Sequence, residues 1–158
     1  MNELNFKFAK ETETEEILHF IHEIAKYEKM DDEVHATVEN LKERIFKKHI
    51  ADVFFICLDD KKIGFALYFY NFSTFVGKAG IHIEDVYIYP EYRGKGYGKK
   101  AFLKIINLAH DKGFERIEWT CLKWNEPSIN FYKSLGAITM NEWHTFRLTK
   151  DKIEYLCK

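Results

Sequence analysis

Arginine at position 93 is followed by glycines at 94, 96 and 98 in the run Arg93-Gly94-Lys95-Gly96-Tyr97-Gly98-Lys99-Lys100. Glycine reaches left-handed backbone angles that other residues resist, and it lets a ligand approach the main chain closely. Just beyond, Phe102, Ile105, Ile106 and Ala109 recur at helical spacing, so the glycines stand where a helix begins and its first N–H groups lack partners. Glycine in a helix costs ~1 kcal/mol relative to alanine, so three of them here point to a purpose beyond folding. The pattern suits an anion cradle made of backbone donors, the positive end of the helix dipole, the donor fork of Arg93 and the charges of Lys95, Lys99 and Lys100. A diphosphate fits such a cradle; a glycine-rich turn without a ligand is the alternative. Neither the G-x-x-x-x-G-K-[ST] spacing of a nucleoside triphosphate loop nor the G-x-G-x-x-G of a dinucleotide fold is present.

A cradle of this kind hangs between a strand and a helix, and the flanking sequence supplies both. From about Ala79, the run that includes His82, Glu84, Val86 and Ile88 predicts a strand up to Pro90, which cannot donate to a ladder. Gly113 stands where the helix would be capped, and residues 115–122 read as the next strand. Upstream, residues 4–9 predict a strand. Thr12 and Glu15 suggest a capping box for a helix over residues 14–27 built on Ile17, Phe20, Ile21 and Ile24. Thr37 caps a second helix carrying Val38, Leu41 and Ile45, and residues 53–58 and 63–70 are strands joined by a polar turn over 59–62. Strand, turn, helix, strand in that order implies a parallel pair inside an otherwise antiparallel sheet. The fold class is therefore α/β (α+β) with a mixed sheet.

With 158 residues, 46% of them hydrophobic and 31% charged, the chain can bury one sizeable core, and we read a single domain over 1–158. A net charge of -1 offers no field for a phosphate backbone, which argues against nucleic acid as a partner. Cys57, Cys121 and Cys157 form no C-x-x-C pair and suggest a reducing, cytoplasmic setting. The N-terminal residues lack the apolar stretch of a signal peptide, and no run approaches the ~20 residues a membrane helix needs.

Further candidates lie outside the cradle. Asn125, Glu126, Pro127 and Ser128 form a helix start with proline in the first turn, and the helix continues to Gly136. Tyr132 shares a face with Ile129 and Leu135, and by spacing alone it reads as packing. Glu84 and Asp85, next to each other on a strand, should point to opposite faces. Glu84, between Ile83 and Val86 in the same segment, is either a solvated edge charge or a carboxylate held by a cationic partner. His19 and His22 have no accompanying ligand cluster, so no metal is expected, and Cys121 has no defined base for a nucleophilic role.

The run from Arg93 to Gly98 resembles the R-x-x-G-x-G/A signature of the GNAT acetyltransferase superfamily. Lys26-Tyr27-Glu28, Ile83-Glu84-Asp85 and the segment 124–133 are similar to those of its diamine (spermidine/spermine) acetyltransferase subgroup. The likeness covers nearly the whole chain. It implies a GNAT-type, mostly antiparallel sheet whose central parallel pair splays at the cofactor site, with helices on both faces. It also implies acetyl-coenzyme A as co-substrate, without a metal. By that resemblance Arg93, Gly94, Lys95, Gly96, Tyr97, Gly98 and Lys99 hold the pyrophosphate, while Val86, Tyr87 and Ile88 offer backbone groups to the acetyl and pantetheine portions. Asn125, Glu126, Pro127 and Ser128 meet the pantetheine arm. Tyr132 is implied as the general acid that protonates the departing thiolate. Glu84 is implied to bind the amine and take its proton, directly or through water, with Tyr27, Glu28, Glu118, Trp119, Thr120 and Glu142 lining the acceptor side. The expected partner is a primary amine of a small molecule such as a polyamine, diamine or lysine analogue, and the expected assembly is a homodimer. Lys123 departs from the subgroup, where an acidic residue is commoner beside the Trp-Asn pair. A protein N-terminal or lysine acetyltransferase and a catalytically silent coenzyme A sensor are the alternative functions.

Overall fold

Along residues 53–57 every side chain is buried, Val53, Phe55 and Cys57 to one side and Phe54 and Ile56 to the other. Such a strand must be covered on both faces, and the computed structural model, which describes residues 3–157, shows how. The elements are β1 (Leu4–Phe8), α1 (Thr14–Tyr27), α2 (Val38–Leu41), β2 (Asp52–Leu58), β3 (Lys61–Ser73), β4 (Lys78–Ile88), α3 (Tyr97–Asp111), β5 (Ile117–Trp119), α4 (Glu126–Ser134) and α5 (Lys150–Leu156). The chain divides into two compact units, one ending at Thr120 and the other beginning at Cys121.

The first unit holds a five-stranded sheet in the order β1-β2-β3-β4-β5, antiparallel except for the parallel pair β4 and β5. Ile17 and Phe20 of α1, with Ile45, close one face over Val53, Phe55, Cys57, Phe65 and Tyr87. The Phe20 ring stacks on Phe65 with centroids 5.4 Å apart, an aromatic contact whose geometry adds to plain area burial. On the other face α3 buries Ala101, Phe102, Ile105 and Ala109 and packs on β4, with Phe102 edge-on to Trp119 at 5.4 Å. The mixed sheet with helices on both faces is thus the arrangement the alternation along β2 requires.

Local details differ from the sequence reading for identifiable reasons. Thr12 and Glu15 form no capping box, because α1 is preceded by a tight turn over Glu11–Glu13 in which the Lys10 N–H donates to the Glu13 carboxylate at 2.8 Å. Thr37 does cap α2: the Asn40 N–H donates to its Oγ1 at 3.2 Å, and the Asn40 side chain accepts from the Thr37 N–H. Over Lys42–Lys47 the helix widens to i to i−5 bonding, as in Lys48 N–H to Glu43 O at 3.0 Å. The first hairpin turns on Asp59 and Asp60 alone, with Asp59 at φ 54°, so Lys61 and Lys62 belong to β3. Strand β3 also runs on to Ser73, and β5 is three residues long where eight were expected. The shortness of β5 follows from β4: the parallel pairing ends at Ile83 opposite Trp119, where the next residue of β4 is bulged.

The second unit contains α4 and α5. Helix α4 starts after Asn125, carries Pro127 in its first turn and ends at Gly136 in the left-handed region, φ 87°. Asn125 holds the N-cap position through its carbonyl, which accepts from the Ile129 N–H at 3.0 Å, rather than through a side-chain cap.

Candidate active site

Strand β4 ends at Ile88, and one tight turn over Pro90–Tyr92 redirects the chain into the glycine run. Gly94 and Gly96 have φ of 76° and 78°, and a Cβ at either would meet nothing within 4 Å. What they supply is therefore the left-handed angle, which costs other residues roughly 1–2 kcal/mol. Gly98 lies inside the first turn of α3, and a Cβ there would make an ordinary contact of 3.9 Å with Ile88 Cδ1. Neither angle nor crowding demands that third glycine. Gly96 is the N-cap of α3 without a side chain of its own to cap it, so the N–H groups of Tyr97, Gly98 and Lys99 precede the first intrahelical bond, Lys100 N–H to Gly96 O at 3.1 Å.

Arg93 is built into this turn. Its Nε donates to the Ile88 carbonyl at 2.8 Å, and its guanidinium carbon lies 4.8 Å from the Tyr27 ring centroid and 5.2 Å from that of Tyr87. With Nε spent on the backbone, only the η nitrogens are left for an anion.

On the preceding strand, Leu67 of β3 is in register with Asp85 and Tyr68 with Ile83, which leaves Glu84 as the extra residue of a bulge. Glu84 is exposed, 3.8 Å from His82 Nε2, whereas Asp85 is half-buried. Burial pushes the Asp85 carboxyl up to about 7, helped by the neighbouring charges of Glu84 and Glu28. Glu28 is itself raised, by burial first and then by Glu84. Asp85 therefore feels both Glu84 and Glu28. Asp85 is the group that reading the sequence missed, because an inserted bulge leaves no mark on the pattern of residue types.

Beyond Ile83, strand β4 has no partner on β5 among the described residues, so at 86–88 its pairing runs to β3 alone, Val86 to Ala66, Tyr87 to Phe65 and Ile88 to Gly64. Of the predicted acceptor-side residues, Tyr27 stacks on Arg93, and Glu28 joins the acid cluster. Glu118 accepts from Asn71 Nδ2 at 3.2 Å and pairs with Arg116 at 3.0 Å. Trp119 packs on Phe102, and Thr120 closes the first unit just after β5.

In the second unit, Glu126, Pro127 and Ser128 make the first turn of α4, and Tyr132 lies in its last turn. The Tyr132 carbonyl accepts from the N–H groups of Leu135 and Ala137, at 3.0 and 3.1 Å, and its ring lies 5.6 Å from that of Phe131. Glu142 is exposed in the stretch between α4 and α5. Among the described residues no group of three His, Cys, Asp or Glu side chains could hold a metal, and no helix is long and apolar enough to cross a membrane.

Comparison with known proteins matches residues 13–137 to the acetyltransferase (GNAT) family. A thialysine N-epsilon-acetyltransferase of Sus scrofa is 35% identical, covering 94% of each chain. A human spermidine/spermine N(1)-acetyltransferase-like protein 1 is 28% identical over 97% of this chain and 24% of its own length. Among solved structures, an integron cassette protein from the mobile metagenome of V. cholerae superposes with a TM-score of 0.81 at 23% identity, over 98% of each chain.

Proposed function

The chain belongs to the acetyltransferase (GNAT) family, and from that premise we propose that it moves the acetyl group of acetyl-coenzyme A to a primary amine of a small cationic molecule, such as a polyamine, diamine or lysine analogue. The observation that carries the choice of acceptor is the cluster of Glu28, Glu84 and Asp85: burial and then the Glu84 charge raise Glu28, burial and then the charges of Glu84 and Glu28 raise Asp85, and a bound ammonium would relieve both. The thialysine acetyltransferase among the relatives supports a small amine over a protein.

The cradle suits the donor's diphosphate, with two left-handed glycines and open N–H groups at the start of a fifteen-residue helix. Arg93, Gly94, Lys95, Gly96, Tyr97, Gly98 and Lys99 would hold it, and Asn125, Glu126, Pro127 and Ser128 would meet the pantetheine arm. The donor supplies a thioester whose carbonyl carbon is the electrophile. Residues 86–88 offer backbone N–H groups to the carbonyl oxygen, an interaction worth about 3 kcal/mol when it strengthens in the transition state.

An amine attacks only through a free lone pair, so its ammonium form must first lose a proton. Asp85, with its carboxyl near 7, can take that proton at neutral pH, and exposed Glu84 attracts the cation. As the tetrahedral adduct collapses, the carbon–sulfur bond breaks and Tyr132 passes its phenolic proton to the leaving sulfur. The proton left on the new amide nitrogen is released to a nearby base or to water.

A screen of thiol release with spermidine, a diamine, lysine, thialysine, an aminoglycoside and short peptides tests the reading. We expect turnover with one or more of the small amines. Turnover with peptides alone, or coenzyme A binding without turnover of any acceptor, would overturn it.

A further inference from the structure

The guanidinium of Arg93 lies against two phenol rings that belong to different elements. Tyr87 is a core residue of β4, 5% exposed, and its ring lies within reach of Phe20. Burial first, and then the Glu23 carboxylate on α1, hold its phenol above the usual tyrosine range. Tyr27 is the last residue of α1 and half-buried. A planar, weakly hydrated guanidinium gains from lying over ring faces in a way that an ammonium on a flexible stem does not. Together with the bond from Nε to the Ile88 carbonyl, the rings fix where the η nitrogens point and where the chain leaves for Gly94.

Tyr27 differs from Tyr87 in one respect. The Tyr87 ring is buried within the core, so removing it would disturb much besides Arg93, whereas the half-buried Tyr27 ring packs only against the edge of that core at a helix end and has the arginine as a cationic neighbour. Its chain neighbour Glu28 caps the same helix and joins the carboxylate cluster. The end of α1 therefore places an aromatic ring on the glycine loop and a carboxylate among the acids, two separate jobs for consecutive residues.

We infer that Tyr27 is a positioning residue for the cofactor loop, setting Arg93 by ring stacking, and that it is not part of the acceptor's lining. The inference rests on the acetyl-coenzyme A reading above. Its test is calorimetric titration of the full chain with coenzyme A in the absence of amine, for the wild type, Tyr27→Leu, Tyr27→Phe, Arg93→Gln and the double variant Tyr27→Leu/Arg93→Gln. Tyr27→Leu should bind about tenfold more weakly, the scale of a partly desolvated cation–π contact, and Tyr27→Phe, which keeps the ring, should restore the affinity. In the Arg93→Gln background the leucine change should add nothing, since the ring then has no guanidinium to hold. At saturating acetyl-coenzyme A, the KM for the amine should stay within about twofold for Tyr27→Leu.

Equal coenzyme A affinity for Tyr27→Leu and wild type would overturn the inference. So would the same loss with and without Arg93, or a loss confined to the amine KM. If Tyr27→Leu melts markedly lower than wild type, Tyr27→Met, closer in length, takes its place in the same cycle. A wild-type chain that fails to bind coenzyme A would instead sink the functional reading itself, so the two failures are distinct.

Discussion

Glu84 and Asp85 are neighbours in the chain but unequal in the sheet: Asp85 pairs in register with Leu67 of β3, while Glu84 is the bulged residue with no partner across the ladder. The inequality explains their environments. The bulged residue reaches solvent, and its paired neighbour sits half-buried with a carboxyl near 7.

A stability prediction follows from the sign of that shift. The ordinary aspartate value is 3.8, so between about pH 4 and 7 the unfolded chain ionises at this site while the folded protein keeps its proton. Folding is then favoured at low pH and loses free energy as pH rises through that window. Asp85→Asn removes the penalty. In urea unfolding it should match wild type near pH 4 and exceed it by about 1–3 kcal/mol at pH 8, a range discounted for partial exposure. An asparagine variant that is less stable than wild type at pH 8 would contradict the burial argument.

The same carboxyl should shape activity in the opposite direction. As proton acceptor Asp85 must be ionised, so kcat/KM at limiting amine should fall below about pH 7 in wild type. Asp85→Asn should lose about 10²-fold or more and lose that inflection with it. Glu84→Gln should raise the amine KM and keep the inflection, moved to lower pH by the loss of the Glu84 charge. A pH profile unchanged in Asp85→Asn would remove the base role.

Gly96 and Gly77 allow a clean comparison, since both have left-handed φ, 78° and 71°, and open space where a Cβ would go. Alanine at either should cost about 1–2 kcal/mol of stability from the angle alone. Only Gly96→Ala should also weaken coenzyme A binding, because Gly77 lies in the turn between β3 and β4. Equal binding by Gly96→Ala and Gly77→Ala in calorimetry would count against the cradle.

How much of this was legible in the sequence varies with the range of the interaction. Helix α1 was readable to the residue, because Ile17, Phe20, Ile21 and Ile24 repeat with the helical period and no proline intervenes. Its cap was not, since Glu13 reaches back to Lys10 and thereby replaces Thr12 and Glu15. The glycine run announced the turn into α3, yet which two glycines are left-handed depends on how Pro90–Tyr92 delivers the chain. Glu118 read as an acceptor contact; its ion pair with Arg116 is local, and the pairing of β3 with β4 and of β4 with β5 brings it to Asn71. Bulges, ring stacking and ion pairs between strands depend on register, which residue types alone leave open.

Exposed aromatics carry a prediction about assembly. Strand β2 reaches only to Tyr68 of β3 and β5 only to Ile81 of β4, so beyond Tyr70 the hairpin continues as a two-stranded ribbon and turn with Phe72 62% and Phe75 99% exposed. We expect a homodimer that covers this ribbon. Sedimentation at micromolar concentration should give twice the chain mass for wild type and a monomer for Phe72→Ser/Phe75→Ser. A monomeric wild type would remove the expectation and leave the catalytic proposal standing.

The last prediction concerns Tyr132, whose position in α4 separates its backbone work from its chemistry. Its carbonyl closes the helix by accepting from Leu135 and Ala137, and Tyr132→Phe leaves those bonds and the ring itself in place. The variant should therefore fold and bind coenzyme A like wild type. If the phenol protonates the departing thiolate, kcat at pH 7 should fall by about 10²- to 10⁴-fold, the usual reach of general acid catalysis. If the hydroxyl only made a hydrogen bond in the interior, the variant would lose about 1 kcal/mol of stability and keep its kcat. A pH series distinguishes the acid role further. The thiol of coenzyme A resembles that of cysteine, with a pKa of about 8.5, so above that pH the sulfur can leave as thiolate unaided. The deficit of Tyr132→Phe should then shrink as pH rises past that value. Single-turnover measurement keeps product release from masking the effect. A wild-type single-turnover rate for Tyr132→Phe at pH 7 would end the acid assignment and leave the ring as packing.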